Sequence, residues 1–130
     1  MSLRSYDAPR RRAVATEFVA RGADGTTVVL RLVGPTLVIV VKSSCEGCRR
    51  VLDADPDQWG VPAVALCDDV VTALEYESAA LVPLIAPEWL VASGVRSAPF
   101  YLVVGERGEV LAEGMPFDAA HLAGELARVR

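Results

Sequence analysis

Thr36-Leu37-Val38-Ile39-Val40-Val41-Lys42-Ser43-Ser44-Cys45-Glu46-Gly47-Cys48-Arg49 joins an apolar run to a Cys-x-x-Cys pair. The run 36–41 reads as a buried strand, and the residues after Cys45 read as the start of a helix. A thiol at a helix N-terminus lies beside backbone N–H groups that have no intrahelical acceptor, which favours its thiolate. A second thiol about one turn further on lies on the same side of the chain and is able to close a disulfide. This is the local chemistry of a dithiol–disulfide site. Half of a metal site and two inert core thiols are the alternative readings. A four-ligand zinc site would need two more ligands, and only Cys67 and His121 are left to supply them.

Working outward, residues 17–20 and 26–32 read as strands around the turn Gly22-Ala23-Asp24-Gly25, giving a hairpin. Gly34-Pro35 breaks the chain before the strand 37–41. The helix after Cys45 is predicted to reach about Leu52, where Asp53, Asp55 and Pro56 stop it. A strand at 63–67 follows, then a short helix over 72–80 capped by Asp68-Asp69, and a small strand at 82–85. Pro87 suits the first turn of a helix over 88–92 that Gly94 ends. Strands 100–104 and 109–112 are joined by Gly105-Glu106-Arg107-Gly108, and Asp118 caps a last helix over 119–129 with Leu122, Leu126 and Val129 on one face. Parallel strands linked through helices, then an antiparallel hairpin, describe an α/β sandwich with a mixed central sheet.

The totals agree with one domain. The chain has 130 residues, 52% of them hydrophobic, which excludes a disordered composition. Its longest apolar run is five residues, too short to span a membrane, and residues 1–16 lack the apolar segment of a signal peptide. The opening Met-Ser-Leu is compatible with a short expression scar in place of a native start. Net charge is −4, of which residues 1–12 contribute +3 through four arginines and one aspartate, leaving −7 on the rest. An acidic body argues against a nucleic-acid partner. Arg10-Arg11-Arg12 reads as part of a solvated, basic tail, with contact to an anionic surface as the alternative. The tail is assigned to residues 1–15 and the domain to 16–130. Three cysteines are too few for a disulfide-stapled scaffold.

Cys45 to Cys48, together with Gly94-Val95-Arg96-Ser97-Ala98-Pro99-Phe100-Tyr101-Leu102-Val103-Val104, resembles the thioredoxin-fold proteins. The hairpin at 105–110 and the terminal segment 117–130 follow in that family's order, so the resemblance covers about residues 17–130. The extra N-terminal hairpin is most similar to the bacterial membrane-tethered, redoxin-type members. The implied fold is a thioredoxin-like sandwich, its mixed central sheet flanked by helices and preceded by an N-terminal β-hairpin. The implied activity is thiol-disulfide oxidoreduction: exchange of a Cys45–Cys48 disulfide with cysteines of a protein substrate. A thioredoxin-fold binding module with weak or no turnover is the second reading, and a carrier of a soft metal ion the third. Implied partners are protein thiols and disulfides and a redox partner protein. Also implied are a membrane tether, of which this chain carries no apolar span, and a place outside the cytoplasm. No organic cofactor is implied. The chain lacks a P-loop and the G-x-G-x-x-G and G-x-S-x-G motifs, and Lys42 stands where a peroxiredoxin would carry Thr.

The same resemblance makes Cys45 the attacking thiol and Cys48 the resolving one, and places Pro99 in a cis bond beside them. Ser44, Glu46, Gly47, Ala98 and Pro99 become the substrate-facing residues, and no metal is expected. Three positions depart from the family. Ser44 replaces the usual Trp, Glu46-Gly47 replaces the frequent Gly-Pro, and Ile39 replaces a buried acid. The motif therefore does not set the direction of electron flow. Cys67, at the end of its strand, reads as a buried structural thiol, with a third redox thiol as the alternative. Trp59 and Trp89 read as core anchors before substrate-surface residues, and His121 as a surface residue. Glu75 and Glu77 read as a solvated helix face, with proton acceptors in place of the missing acid as the alternative.

Overall fold

The computed structural model describes residues 12–116 and 118–129. Seven strands form one mixed sheet: β1 (Glu17–Arg21), β2 (Thr27–Arg31), β3 (Thr36–Val40), β4 (Ala63–Cys67), β5 (Leu84–Ile85), β6 (Phe100–Val104) and β7 (Val110–Gly114). Their order is β2-β1-β5-β4-β3-β6-β7. β3 runs parallel to β4 and β4 to β5, while β6 lies antiparallel to β3. The four helices among the described residues are α1 (Glu46–Leu52), α2 (Val70–Glu75), α3 (Pro87–Ala92) and α4 (Ala119–Val129). None is long and apolar enough to cross a membrane.

β3 is central and buried along its whole length. That is why its sequence is continuously apolar rather than alternating. Its side chains still alternate between two cores. Leu37, Ile39 and Val41 join Cys48, Leu52, Trp59, Tyr76, Tyr101, Leu122 and Leu126 on the face covered by α1, α2 and α4. Val38 and Val40 join Leu66, Trp89, Leu90 and Leu102 on the face covered by α3. Both tryptophans are core anchors. Trp59 is fully buried and donates its indole N–H to the Ala119 carbonyl at 3.2 Å. Trp89 donates to the Ala15 carbonyl at 2.9 Å and stacks on Phe18 with ring centroids 4.8 Å apart. Replacing such a side chain with Ala typically costs about 3–5 kcal/mol.

Several elements differ in extent from the sequence expectation. α2 stops at Glu75 instead of continuing to residue 80, because Tyr76 is drawn into the core and the Leu81 N–H bonds the Leu52 carbonyl at 2.9 Å. A 3-10 turn at Pro56–Trp59, absent from the sequence reading, seats Trp59, with the Asp55 carboxylate accepting the Asp57 N–H. β5 is confined to two residues, and β7 extends two residues further than expected. Residues 12–15, read from sequence as the end of a solvated tail, lie along the sheet edge. Ala13 bridges to Glu109, and the Val14 N–H bonds the Gly108 carbonyl at 2.8 Å. Gly108 has φ +84, and a Cβ there would run into the Val14 carbonyl, so this close approach requires glycine. Arg12 donates its Nε to Glu113 at 3.0 Å and pairs also with the Ser93 carbonyl. The expected contributions of Arg10 and Arg11 lie outside the described residues.

Candidate active site

At the end of β3 the Val41 N–H still bonds the Leu66 carbonyl, at 3.0 Å. The chain then turns through Lys42, Ser43 and Ser44 into α1. Ser44 takes φ +54, the left-handed region that side chains disfavour. Cys45 follows in an extended conformation and is the N-cap of α1, its Sγ receiving the Cys48 N–H at 3.1 Å. A sulfur thus does the work of the usual capping oxygen, occupying one of the donors that the first turn leaves open. Cys45 and Cys48 are joined by a disulfide, their Cα atoms 5.2 Å apart. Cys45 is half-buried, whereas Cys48 is fully enclosed among core residues. Of the two residues, only Cys45 reaches the surface. Ser44 and Glu46 are exposed beside it and Gly47 is half-buried.

The end of α2 meets this turn. The Glu75 carboxylate accepts the Ser44 N–H at 2.9 and 3.1 Å from its two oxygens. The buried Tyr76 hydroxyl donates to the Lys42 carbonyl at 2.7 Å and lies 3.2 Å from the Cys45 carbonyl. It also accepts the Cys45 N–H at 3.4 Å. Burial, ahead of the neighbouring Glu75 charge, raises the Tyr76 phenol above its ordinary value, so the hydroxyl keeps its proton for donation. Arg49 lies over the Tyr76 ring, 5.1 Å from its centroid, and donates to the Glu75 carbonyl at 3.2 Å. Tyr76 was not singled out from sequence, since a tyrosine in an apolar helix reads as packing. Its one signal is place: it closes the helix that starts on the strand next to β3.

The Ala98–Pro99 peptide bond is cis. The pairing of Val40 with Phe100 puts this bond at the same end of the sheet as the Lys42–Cys45 turn. Ala98 and Pro99 are half-buried. Ala98, Val41, Lys42, Leu90, Val95 and Arg96 line a groove of about 610 Å³ at that end. Cys67 is fully buried, and its thiol donates to the Asp69 carbonyl at 3.4 Å. Burial first, and then the charges of Asp69 and Asp68, push this thiol up to about 11. A thiol so held is almost wholly protonated at neutral pH, which fits the structural reading of Cys67. Glu77 is exposed. His121 is half-buried, its ring edge-on to Tyr101 at 6.3 Å. Among the described residues no three His, Cys, Asp or Glu side chains gather to hold a metal ion.

A β3–α1 unit with a capping cysteine pair, a parallel β4, an antiparallel β6–β7 hairpin and a closing helix together make the thioredoxin fold. The chain is a thioredoxin-fold protein with an added N-terminal hairpin. Solved structures of the same architecture include dsbF from MTB, described in mixed oxidized and reduced forms, at 18% identity and TM-score 0.67 over 90% of this chain and 99% of that one. A thio-disulfide isomerase from Thermus thermophilus matches at 20% identity and TM-score 0.67, covering 94% and 97%. StoA from Bacillus subtilis matches at 16% identity and TM-score 0.65, covering 89% and 99%. No protein-family model matches the chain, and neither does any curated protein sequence. At these identities the likeness establishes the fold, and the chemistry must be argued from the residues.

Proposed function

We propose that this protein is a thiol-disulfide oxidoreductase that exchanges the Cys45–Cys48 disulfide with cysteines of a protein substrate. The observation that carries this reading is the asymmetry of the pair: Cys45 is half-buried with an N–H directed at its sulfur, and Cys48 is enclosed one turn behind it. In the reductive direction the Cys45 thiolate attacks one sulfur of a substrate disulfide. A mixed disulfide forms and the other substrate sulfur leaves as a thiolate that takes up a proton. The Cys48 thiolate then attacks the Cys45 sulfur, the Cys45–Cys48 bond forms, and the second substrate sulfur leaves. Two electrons have passed from the protein to the substrate. In the oxidative direction the same steps run backwards.

Cys45 and Cys48 are the catalytic residues of this proposal. The exposed Ser44 and Glu46, with Gly47, Ala98 and Pro99, form the surface against which a substrate peptide is held. The groove beside Ala98 supports that assignment by leaving room for an extended chain. A second protein, a redox partner, must return the pair to its starting state after each turnover.

The test is catalysed reduction of the insulin disulfides by dithiothreitol, with Cys45→Ser and Cys48→Ser alongside the parent. Turnover is expected for the parent and a loss of at least about 10³-fold for Cys45→Ser, the scale on which a lost nucleophile acts. Cys48→Ser is expected to accumulate a mixed disulfide visible by mass. A parent that neither turns over nor forms a mixed disulfide, while binding a partner undiminished by either substitution, would establish the binding-module reading instead. A measured potential near −270 mV would mark a reductant, and one near about −120 mV an oxidant.

A further inference from the structure

The turn that delivers Cys45 contains a residue in a conformation it would not choose alone. Ser44 stands at φ +54 in the turn between β3 and α1, and a left-handed non-glycine residue persists only where its surroundings fix it. The fixing groups are identifiable. On one side of the turn the Lys42 carbonyl is held by the Tyr76 hydroxyl at 2.7 Å. In the middle the Ser44 N–H is held by both Glu75 carboxylate oxygens. On the other side the Cys45 N–H and carbonyl flank the same Tyr76 hydroxyl, at 3.4 and 3.2 Å. All of these contacts come from two consecutive residues where α2 ends, and Arg49 of α1 closes the arrangement by bonding the Glu75 carbonyl. None of them passes through a sulfur. Opening the Cys45–Cys48 bond therefore removes none of these donors or acceptors.

We propose that Glu75 and Tyr76 are positioning residues for Cys45, holding the Lys42–Cys45 turn so that the two sulfurs stay in register after the disulfide opens. The proposal rests on the redox reading above. In the reduced protein the turn loses its covalent link to Cys48. Its freedom is then set by the oxygens of Glu75 and Tyr76. A turn pinned at three backbone groups keeps the Cys45 sulfur over the Cys48 N–H, and ring closure then loses little further entropy. Releasing those groups lowers the effective concentration of one thiol at the other. The disulfide becomes easier to reduce, and resolution of a mixed disulfide slows.

The experiment equilibrates the full chain with defined ratios of oxidised and reduced glutathione. In the oxidation the Cys45–Cys48 bond forms and the glutathione disulfide bond breaks. Two electrons pass from the protein to glutathione, and the two protein thiol protons end on the two glutathione thiols. Tyr76→Phe is expected to lower the equilibrium constant for protein disulfide formation about tenfold, the scale of the entropy of one backbone residue freed in the reduced turn, or about 30 mV toward positive potential. Glu75→Ala, at a more exposed contact, is expected to lower it about threefold, or about 14 mV. Glu75→Gln keeps an acceptor oxygen for the Ser44 N–H and is expected to restore most of the parent value. Where Tyr76→Phe does not fold, the Glu75 pair decides. Variants that match the parent constant while melting earlier would overturn the positioning role and leave oxidoreductase activity standing. Glu75→Gln behaving as Glu75→Ala would overturn it too, since charge and not the hydrogen bond would then be acting. A parent that never exchanges with glutathione would overturn the redox reading and this inference with it.

Discussion

Two neighbouring parallel strands carry cysteines to the same edge of the sheet, and the fold treats those cysteines in opposite ways. β4 ends on Cys67 itself, so the thiol stays inside the strand, fully buried, with its proton directed at the Asp69 carbonyl. β3 ends five residues before Cys45, and the chain has left the sheet by the time the thiol arrives. Each strand is followed by a helix, and each helix needs an acceptor for its first turn. At α2 the acceptor is the Asp69 carboxylate, 2.8 Å from the Thr72 N–H, and at α1 it is the Cys45 sulfur, 3.1 Å from the Cys48 N–H. One strand surrounds its thiol with apolar side chains and two aspartates, and the other leads to a half-buried cysteine whose sulfur receives an N–H. What separates an enclosed cysteine from a half-buried one here is where the strand stops relative to the sulfur.

The largest expected effect follows directly. With the disulfide reduced at pH 7.5, iodoacetamide should modify Cys45 at least about 100-fold faster than Cys67, because a thiol held near 11 is thiolate in only about one molecule per thousand or fewer. Peptide mass mapping over time measures the ratio. Comparable rates would erase the contrast between the two strand ends. Next in size is a pH effect on stability. The Cys67 thiol titrates higher in the folded chain, about 11, than its ordinary value of 9.0, so the folded state holds more protons between these values. Its contribution is complete below about pH 9 and is lost as pH rises toward 11, amounting to about 2–3 kcal/mol. The urea-unfolding free energy of the parent should therefore fall more steeply over that window than that of Cys67→Val. Parallel curves would show that burial does not hold the thiol protonated.

The contrast was only half legible in the sequence. The apolar run 36–41, the Cys-x-x-Cys spacing and the prolines and glycines placed β3, α1, β4 and β6 within a residue, because these elements are set by local periodicity and by residues with narrow backbone choices. Cys67 could be assigned to its strand, but how firmly its proton is held depends on apolar neighbours brought in from α1, α2 and β3. The docking of residues 12–15 was equally hidden, since Arg12 meets Glu113 and Ser93 from distant parts of the chain. Tyr76 was missed for the same reason. Its hydroxyl binds carbonyls 31 and 34 residues away, and no spacing rule connects a helix C-terminus to a turn on the next strand.

The two caps sharpen the comparison at smaller cost. Asp69→Ala removes the acceptor for both the Thr72 N–H and the Thr72 hydroxyl, and should destabilise the fold by about 1 kcal/mol. Those same donors hold the Asp69 carboxyl below its ordinary value of 3.8. The advantage of the parent over Asp69→Ala is therefore present above about pH 4 and lost as pH falls through the lower folded value. A stability difference that persisted unchanged at pH 2 would place the cost of Asp69→Ala somewhere other than the cap.

The smallest effect concerns the one backbone feature that the α1 mouth has and the α2 mouth lacks. Before α2, Asp69 is reached through an extended backbone, φ −150, with no left-handed residue. Before α1, Ser44 at φ +54 turns the chain into the helix, and Cys45 follows half-buried. A left-handed L-residue costs about 1–2 kcal/mol relative to an ordinary one, and glycine escapes that cost while adding about 0.5–1 kcal/mol of freedom to the unfolded chain. Ser44→Gly should thus stabilise the protein by between about 0 and 1.5 kcal/mol, a rise of several degrees at most in the thermal midpoint. The Ser44 N–H remains available to Glu75, so the glutathione equilibrium should stay within about twofold of the parent. A loss of more than about 2 kcal/mol would mean that the Ser44 side chain, not its backbone, sets the turn, and the contrast between the two helix mouths would then rest on a contact of that hydroxyl instead of on the path of the chain.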